Sequence, residues 1–531
     1  MSSRAICFRA AALAVILSWC SISEGAQSVL RVGQTGEPDS LDPHAAVTGP
    51  AVVIVNDLFE GLMTLDAQGR AVPGAAASYT VSDGERTYTF KLRPGLAWSD
   101  GQRLTAQDFV YSFRRIADPK TAATSMAVNV DLIRNGAAII RGRMKPDALG
   151  VSAPDAETVR VELERPAPYF LSIVATAAFA PVPRRVIEKH GRAWTRPGTL
   201  VSNGPFVLAA WQPHDFVKVV KNPRFHAAST VQLDAVLYRP VVDLNSGVRQ
   251  FQAGELDTLT NFPPEKLDLL RAKMPEAVRF SPSLGLVAYL INHRLPKFKD
   301  PRVRKALSLA LDREAITDRI VRSGDRPAYG LVPSGIPGYY PALEPPQAFT
   351  TGSARLTEAR RLLAAAGYGA GRPLEVELLY HNSEEHRKVA IVAAAMWGAV
   401  GVKTLLRNAD RQVVDAAARN GQFEIVRLAL FAGYVDPTGF FNAVREGSPA
   451  NGSGYASATL ERLFTEASST ADRANRAKLL RQAERVAIEE DQALIPLYFL
   501  MSRRLVAARV KGWPAKNLTA LRPARYLSVV P

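Results

Sequence analysis

The chain has 531 residues, of which 47% are hydrophobic and 22% are charged, and its formal net charge is +16. Both cysteines, Cys7 and Cys20, lie close to the amino terminus, so the rest of the chain has no thiol for a disulfide, a thiolate nucleophile or a cysteine-based metal site. Lysine and arginine are interspersed with aspartate and glutamate, without the clustered basic run of a nucleic-acid site, and we expect no nucleic-acid partner.

The amino terminus has the pattern of a secretory signal. Arg4 and Arg9 precede a nearly continuous apolar stretch over residues 10–19, and Ser23-Glu24-Gly25 follows, with small residues at 23 and 25. The apolar stretch is shorter than the roughly 20 residues that a membrane-spanning helix needs. Trp19, directly before Cys20, is larger than the residue that a lipidation signal has at this position. We therefore predict a signal peptide over residues 1–25, with cleavage after Gly25 or Ala26, and an exported mature chain.

The first clear elements form a strand, a turn and a helix between residues 80 and 113. Apolar and polar residues alternate around Tyr88 and Phe90, as in a strand with one buried face, and glycine-containing turns follow. A helix is predicted to begin at Thr105, because Asp108 three residues later completes a capping box. Its apolar face is predicted to consist of Phe109, Phe113 and Ile116.

A second well-marked helix is predicted to begin at Asp300-Pro301, with an acceptor side chain and a proline in its first turn. Its apolar residues are Val303, Ala306, Leu307, Ala310 and Leu311, and its charged face is predicted to be Arg302, Arg304, Lys305 and Arg313. Further helices are predicted over 356–366, 386–399 and 458–488, with strands over 374–380 and 423–430 between them. This alternation predicts an α/β protein, and the chain is long enough for two or three lobes.

Motifs that would indicate catalysis are missing. The sequence contains no Gly-x-Ser-x-Gly elbow, no Walker loop and no His-Glu-x-x-His helix, so we expect no enzyme activity and no cofactor. His381 and His386 lie near Glu384 and Glu385, but their spacing does not place them on one helical face, and we do not expect a metal site.

Phrases along the whole chain resemble the periplasmic oligopeptide-binding proteins, which are large solute-binding proteins of the peptide/opine/nickel group of ABC transporters. These phrases occur in the order of the family, at residues 36–44, 57–62, 88–93, 98–101, 105–112, 166–170, 202–206, 253–257 and 302–313. Most of them are turns, caps and core helices, so they identify the scaffold more strongly than the solute.

The resemblance implies a two-lobed periplasmic binding protein fold with an inserted extra domain and a cleft that closes about a hinge. Lobe I would comprise residues 26–59, 184–285 and 502–531, the inserted domain residues 60–183, and lobe II residues 286–501. It also implies that a monomer captures an oligopeptide or a peptide-like solute in the periplasm and delivers it to an inner-membrane ABC permease.

The resemblance also implies contact positions for the solute. In oligopeptide-binding members an aspartate that holds the peptide α-ammonium precedes the tyrosine of a segment similar to residues 431–438, and here Gly433 precedes Tyr434. Val47 replaces a glutamate, Ser125 a tyrosine, and Arg411 and Leu430 replace tryptophans. In contrast, Arg427, His386 and, after a one-residue gap, Arg419 match positions that meet ligand carboxylates. Asp436 is the remaining acidic residue of the segment that could take over from the missing aspartate.

These differences predict a peptide-like solute whose amine is blocked, absent or placed elsewhere, since an unpaired buried ammonium is costly. Two alternatives remain open. The same scaffold could bind a non-peptide acidic solute, such as an opine, a sugar conjugate or a metal chelate, because arginine side chains bind carboxylates and phosphates. A periplasmic hydrolase or folding helper built on the scaffold is the third interpretation.

Overall fold

The computed structural model describes residues 28–121, 123, 129–339, 352–519 and 521–530, and it confirms the predicted α/β class. The strands are β1 (Val29–Gln34), β2 (Met63–Leu65), β3 (Ala71–Pro73), β4 (Ala76–Ser82), β5 (Thr87–Leu92), β6 (Val151–Asp155), β7 (Thr158–Glu162), β8 (Phe206–Gln212), β9 (Phe216–Lys221), β10 (Ala235–Pro240), β11 (Thr258–Leu259), β12 (Val278–Ile291), β13 (Arg326–Pro327), β14 (Leu374–His381), β15 (Val402–Ala409), β16 (Ile425–Phe431), β17 (Leu494–Val506), β18 (Val510–Lys511) and β19 (Ser528–Val529).

The helices are α1 (Gly49–Leu58), α2 (Ala106–Ala117), α3 (Gly136–Ile140), α4 (Phe170–Val174), α5 (Arg184–His190), α6 (Leu244–Gln252), α7 (Leu267–Lys273), α8 (Pro296–Lys299), α9 (Pro301–Ala310), α10 (Arg313–Ala315), α11 (Gly352–Ala365), α12 (Glu384–Gly398), α13 (Arg411–Asn420), α14 (Thr438–Phe441), α15 (Ala458–Ser469) and α16 (Arg473–Arg485). Short π-helical segments continue α10 and α16, at Ile316–Val321 and Val486–Glu490. Among the helices in the described ranges, none has both the length and the apolar composition for crossing a bilayer.

The described strands include one large sheet of eleven strands. Its order is β15-β14-β16-β12-β17-β11-β1-β10-β9-β8, and β13 pairs with β17 outside this path. Strand β1 is parallel to both β10 and β11, whereas β12 is antiparallel to both β16 and β17. The sheet therefore joins strands from both ends of the chain.

Strands β12 and β17 connect the two halves of this sheet. They are 14 and 13 residues long, and their pairing runs from Val278 opposite Leu505 to Leu290 opposite Leu494. The register shifts between Pro282 and Leu286, which is the irregularity of a β-bulge. A bulge bends a strand and increases its twist. This is the position that best suits the predicted hinge.

The buried apolar side chains form separate clusters. One draws its members from residues 62–179 and adds Tyr434. Two others combine residues from 30–59, 177–280 and 505–527. The remaining two cover opposite faces of the sheet after residue 283, so that alternate residues of β12 enter different clusters. This distribution supports the predicted lobes and inserted domain, and their exact boundaries stay a prediction.

The predicted helix after Thr105 is confirmed as α2. The backbone N–H of Thr105 donates to Asp108 at 2.8 Å, and the capping box is complete. Phe109, Phe113 and Ile116 are buried, as predicted. They belong to the cluster beneath the four-stranded antiparallel sheet β4-β5-β7-β6.

The prediction of one helix over 458–488 is wrong, because the chain forms α15 and α16 with a break between them. The hydroxyl of Thr470 donates to the Glu466 carbonyl at 2.7 Å, which competes with the backbone hydrogen bonds at the end of α15. Asp472 then caps α16 by accepting from the backbone N–H of Asn475 at 2.9 Å.

The predicted charged face of α9 is also wrong in part. Arg304 and Arg313 are each only 5% exposed. Arg304 donates to the Phe298 carbonyl at 2.6 Å, and Arg313 donates to the Pro496 carbonyl at 2.8 Å. Guanidinium groups offer several donors, so these two side chains satisfy buried carbonyl groups where the pattern suggested a solvated surface.

Candidate functional site

A cavity of about 250 Å³ lies where the two halves of the molecule meet. The first half contains the clusters drawn mainly from residues 30–280, and the second half contains the two clusters on the sheet after residue 283. One wall comes from the loop before α1, from α1 itself, from β2 and β3 and from α4. The opposite wall comes from the bulge of β12 and the end of β16, and a segment near the carboxyl terminus closes one side. The lining residues are Val47, Gly49, Val52, Val53, Leu65, Gly69, Ala71, Ser172, Thr176, Ser283, Leu284, Phe431, Ala432, Gly433, Tyr434, Val435, Leu518, Thr519 and Leu521.

This cavity has an uncharged lining. No Asp, Glu, Lys, Arg or His side chain occurs among the described residues that form it, and its polar side chains are hydroxyl groups. Two of its large apolar side chains face solvent, since Phe431 is 64% exposed and Val47 is 56% exposed. Three of the predicted contact positions, Val47, Gly433 and Tyr434, thus lie together in one cavity.

Tyr434 belongs to the second half of the molecule and packs against the inserted segment, which is the part of the chain that forms the apolar cluster of residues 62–179. Its ring stacks on Tyr169, with centroids 5.6 Å apart and an interplanar angle of 7°. Its hydroxyl lies 3.1 Å from the Thr438 hydroxyl, and burial raises the pKa of Tyr434 well above its usual value. The stacked rings therefore form a contact across the space between the two halves.

Asp436 is buried, and both oxygens of its carboxylate accept hydrogen bonds from protein groups. Its two carboxylate oxygens accept from Arg476 at 2.8 and 3.0 Å, a bidentate pair. The backbone N–H and the hydroxyl of Thr438 donate to the same carboxylate at 3.0 and 2.7 Å. With these partners, Asp436 does not supply an acidic group to the lining of the cavity.

Arg427 lies in β16 opposite Tyr289 and is only 3% exposed. Its Nη2 donates to the Tyr498 hydroxyl at 2.6 Å and lies 3.7 Å from Glu385 Oε1. Its Nε is buried and has no hydrogen-bond partner among the described residues. The Nε of Arg427 is therefore an unpaired donor enclosed by protein.

His386 lies beside Arg427 and is partly buried. Burial and then the positive charge of Arg427 lower the pKa of His386 to about 3, so the ring is neutral near pH 7. The His381 ring is 5.4 Å away, and His381 Nε2 contacts Asp415 at 3.2 Å. Within the described ranges, no group of three or more His, Cys, Asp or Glu side chains could hold a metal ion.

The other predicted contact positions lie outside the cavity lining. The Arg411 side chain is 84% exposed and lies 3.5 Å from Asp415, and Arg419 is exposed near the end of the same helix. Leu430 pairs with Leu286 in the sheet and is half-buried. Ser125 lies outside the residues that the structure describes.

A second cavity, of about 480 Å³, lies on the other side of Tyr434. It is lined by residues of the inserted segment and of the second half, including Asp131, Arg165 and Arg445. Arg165 Nη2 is 3.9 Å from the Asp131 carboxylate. This cavity is charged, in contrast to the first one.

Sequence reasoning missed the contributions of Tyr169, Arg476, Leu518, Thr519 and Leu521. Tyr169 is part of a phrase that was interpreted as scaffold, and nothing in its spacing indicates a partner in residues 431–438. Arg476 lies 40 positions after Asp436, and a solvated helix face is the usual environment for such an arginine. The carboxyl-terminal wall carries no chemical motif at all.

Comparison with protein families matches residues 70–452 to the Bacterial extracellular solute-binding proteins, family 5 Middle. The chain is 35% identical over 485 residues to the periplasmic oligopeptide-binding protein OppA of Escherichia coli (strain K12), with 91% of this chain and 89% of the relative covered. It is 36% identical over 498 residues to the probable deoxycholate-binding periplasmic protein YgiS of the same organism, with 92% and 91% covered.

Among solved structures, the chain is similar to Haemophilus influenzae OppA in complex with the peptide RPPGFSPFR. The TM-score is 0.82 and the sequences are 31% identical, with 95% of this chain and 99% of the other covered. The similarity therefore extends over both halves of the molecule and includes the region of the uncharged cavity.

Proposed function

The chain belongs to the bacterial extracellular solute-binding proteins of family 5, and from this premise we propose that it captures oligopeptides or peptide-like solutes for an ABC importer. The observation that carries the proposal is the cavity between the two halves of the molecule, to which both halves and the carboxyl-terminal segment contribute. A solute bound there touches both lobes, so it favours the closed form.

The remaining parts of the proposal follow from the family. The protein acts in the periplasm after removal of residues 1–25, and it delivers solute to an inner-membrane permease as a monomer. Lobe I, the inserted domain and lobe II have the boundaries given by the sequence analysis. Of the predicted contact positions, we retain Val47, Gly433 and Tyr434 as cavity residues, and Arg427 with His386 as a site for a solute carboxylate.

We expect no catalysis by this protein. The uncharged cavity offers no acid, base or nucleophile pair for hydrolysis among its described lining residues. Incubation of the purified protein with peptides should leave them intact in mass spectra, and peptide turnover would instead support the hydrolase interpretation.

A second candidate cargo is a non-peptide acidic solute. The relative named as probably deoxycholate-binding is as similar to this chain as the oligopeptide-binding one. The uncharged lining of the cavity also suits the apolar part of such a molecule, with its acidic group outside the cavity. The binding role is the same for both cargoes, and only the solute differs.

Native mass spectrometry of the purified mature protein tests the proposal, because a buried solute can remain bound during purification. We expect a noncovalent complex that releases a peptide or peptide-like molecule on denaturation. If the protein is empty, a thermal-shift screen with a peptide library should raise its melting temperature. An empty protein with no response to any peptide would contradict the proposed function.

A further inference from the structure

The chemistry of the uncharged cavity narrows the class of solute, and this inference rests on the proposed function. Its walls carry hydroxyl groups and apolar side chains, and no charged side chain occurs among its described lining residues. A charged group buried against such walls loses its hydration without gaining an ionic partner. The part of the solute that enters here should therefore be uncharged.

The solvent-facing apolar side chains of the cavity indicate what this part is. Phe431 and Val47 come from opposite walls, and both are more than half exposed. Exposed large apolar side chains on two walls of one cavity favour an apolar occupant, because covering them removes their surface from water. The cavity volume of about 250 Å³ suits a group of side-chain or acyl size rather than a whole peptide.

Two carboxylates close in sequence to these walls, Asp436 and Asp39, already have protein partners. Asp436 pairs with Arg476 and accepts from Thr438. Asp39, before the Val47 wall, accepts from the Val47 and Thr48 N–H groups at 3.1 Å each and from the Thr48 hydroxyl at 2.6 Å. Neither carboxylate lines the cavity, so a free ammonium placed there would have no anionic partner from these two segments.

We propose that the solute inserts an uncharged apolar group, such as an acyl chain or an alicyclic ring system, between Val47 and Phe431 in place of a free amino terminus. Both an N-acylated peptide and an amphipathic carboxylic acid have this chemistry. In either case the apolar group occupies the cavity. The Ser283 hydroxyl remains available to a polar atom at its edge, whereas the Thr519 hydroxyl donates to Asn517 at 2.7 Å.

Three probes test this inference on the mature protein after unfolding, removal of solute and refolding. They are Leu-Ala-Ala with a free amine, N-hexanoyl-Leu-Ala-Ala and deoxycholate, each titrated by calorimetry. We expect the N-hexanoyl peptide or deoxycholate to bind at least about 30-fold more tightly than the free peptide, the lower end of the loss for an unpaired buried charge. The tighter of the two identifies the source of the apolar group.

Variants that place a carboxylate in the lining sharpen the test. Gly433→Asp, in the loop after β16, and Ser283→Asp, on β12, should each weaken binding of the N-hexanoyl peptide about tenfold or more and strengthen binding of the free peptide. Gly369→Asp is the matched control, because an added Cβ there meets nothing within 4 Å, and its affinities should equal those of the unchanged protein.

The outcomes separate the two proposals. Equal or tighter binding of the free peptide overturns the apolar-group inference and leaves the proposed function intact. Binding of deoxycholate alone supports the inference and contradicts the peptide cargo. If none of the three probes binds and no peptide of a thermal-shift library does, the proposed function itself is contradicted.

Discussion

His44 shows how a single buried side chain makes stability depend on pH. It is 3% exposed, and its Nδ1 lies 2.7 Å from Arg115 Nη1. A guanidinium group only donates, so Nδ1 must accept and therefore carries no proton. Burial, followed by the charge of Arg115, lowers the pKa of His44 from 6.5 to about 3.

Replacing His44 by Asn should reduce the acid sensitivity of the fold. Below about pH 6.5 the unfolded chain binds a proton at His44, whereas the folded chain does not bind it until the pH nears about 3. The free energy of unfolding therefore keeps the full contribution of His44 above pH 6.5 and decreases as the pH falls from 6.5 toward about 3. Each such proton contributes up to about 1.4 kcal/mol per pH unit. His44→Asn keeps an acceptor for Arg115 and removes the titration.

Denaturant unfolding at several values between about pH 7.5 and 4.5 measures this slope. His214→Asn is the control, since the His214 side chain is 92% exposed and its φ of 66° suits asparagine. We expect His44→Asn to flatten the curve and His214→Asn to leave it unchanged. An unchanged slope in His44→Asn would show that this histidine is not held neutral.

At the same scale, the family resemblance predicted three residues that line the cavity, whereas the sequence pattern did not predict which charged side chains are buried. Val47, Gly433 and Tyr434 were chosen by resemblance, and they line one cavity. Arg304, Arg313 and Asp436 were expected at surfaces or near the solute, but each is enclosed by protein partners. Some of these partners lie far away in the chain, such as Pro496 for Arg313 and Arg476 for Asp436, and the local pattern carries no information about them.

At the scale of elements, two of the segments that resemble the family, residues 57–62 and 202–206, form hydrogen bonds with each other. Asn203 accepts from the Glu60 N–H at 3.1 Å and donates to the Glu60 carbonyl at 2.8 Å. Gly204 donates to the Leu58 carbonyl at 2.9 Å, and a Cβ on Gly204 would lie 2.5 Å from the Leu58 carbonyl carbon. The end of α1 can approach the loop before β8 only where a side chain is absent.

Gly204→Ala should therefore lower the free energy of unfolding by about 1–3 kcal/mol, the usual cost of overpacking. The contact is with backbone atoms, which cannot rotate away as a side chain can. Gly398→Ala is the control, because a Cβ on this helical glycine meets nothing within 4 Å and should be neutral or stabilise by about 0.5–1 kcal/mol. Urea unfolding compares them, and equal stabilities would contradict the packing argument.

Helices and strands were predicted well where caps and periodicity agree, as in α2 and α9. The break between α15 and α16 was missed because its hydroxyl and carboxylate groups bond to the local backbone without a glycine or proline. The lengths of β12 and β17 were also beyond prediction, since their pairing joins residues more than 200 positions apart.

At the scale of the whole molecule, the Tyr169–Tyr434 stack joins the inserted segment to the second half. Arg476 lies over the Tyr169 ring at 5.4 Å and donates to Asp436, so four side chains meet at this contact. None of these side chains belongs to the lining residues of the cavity wall that contains Val47. It can therefore favour a closed arrangement in the absence of solute.

Tyr169→Leu should shift the molecule toward an open form and weaken solute binding. An aromatic pair contributes about 0.5–1.5 kcal/mol beyond its buried area, so the dissociation constant should rise about 2- to 12-fold. Small-angle scattering of the solute-free protein should also show a larger radius of gyration.

Tyr79→Leu is the control, because Tyr79 packs on Phe90 within the inserted segment and away from Tyr434. It should leave both the dissociation constant and the radius of gyration unchanged. If Tyr169→Leu behaves like this control, the stack has no part in closure.

The carboxyl-terminal segment has a consequence for the order in which the protein becomes functional. Ala524 donates to Asp57 at 2.9 Å over 467 positions of chain, and Arg525 donates to Glu60 at 2.6 Å over 465. Leu518, Thr519 and Leu521 form one wall of the cavity. Contacts this distant close late in folding, because the intervening chain must first be ordered. A chain that emerges amino terminus first lacks this wall until Leu521 has emerged, so solute capture begins only after that point.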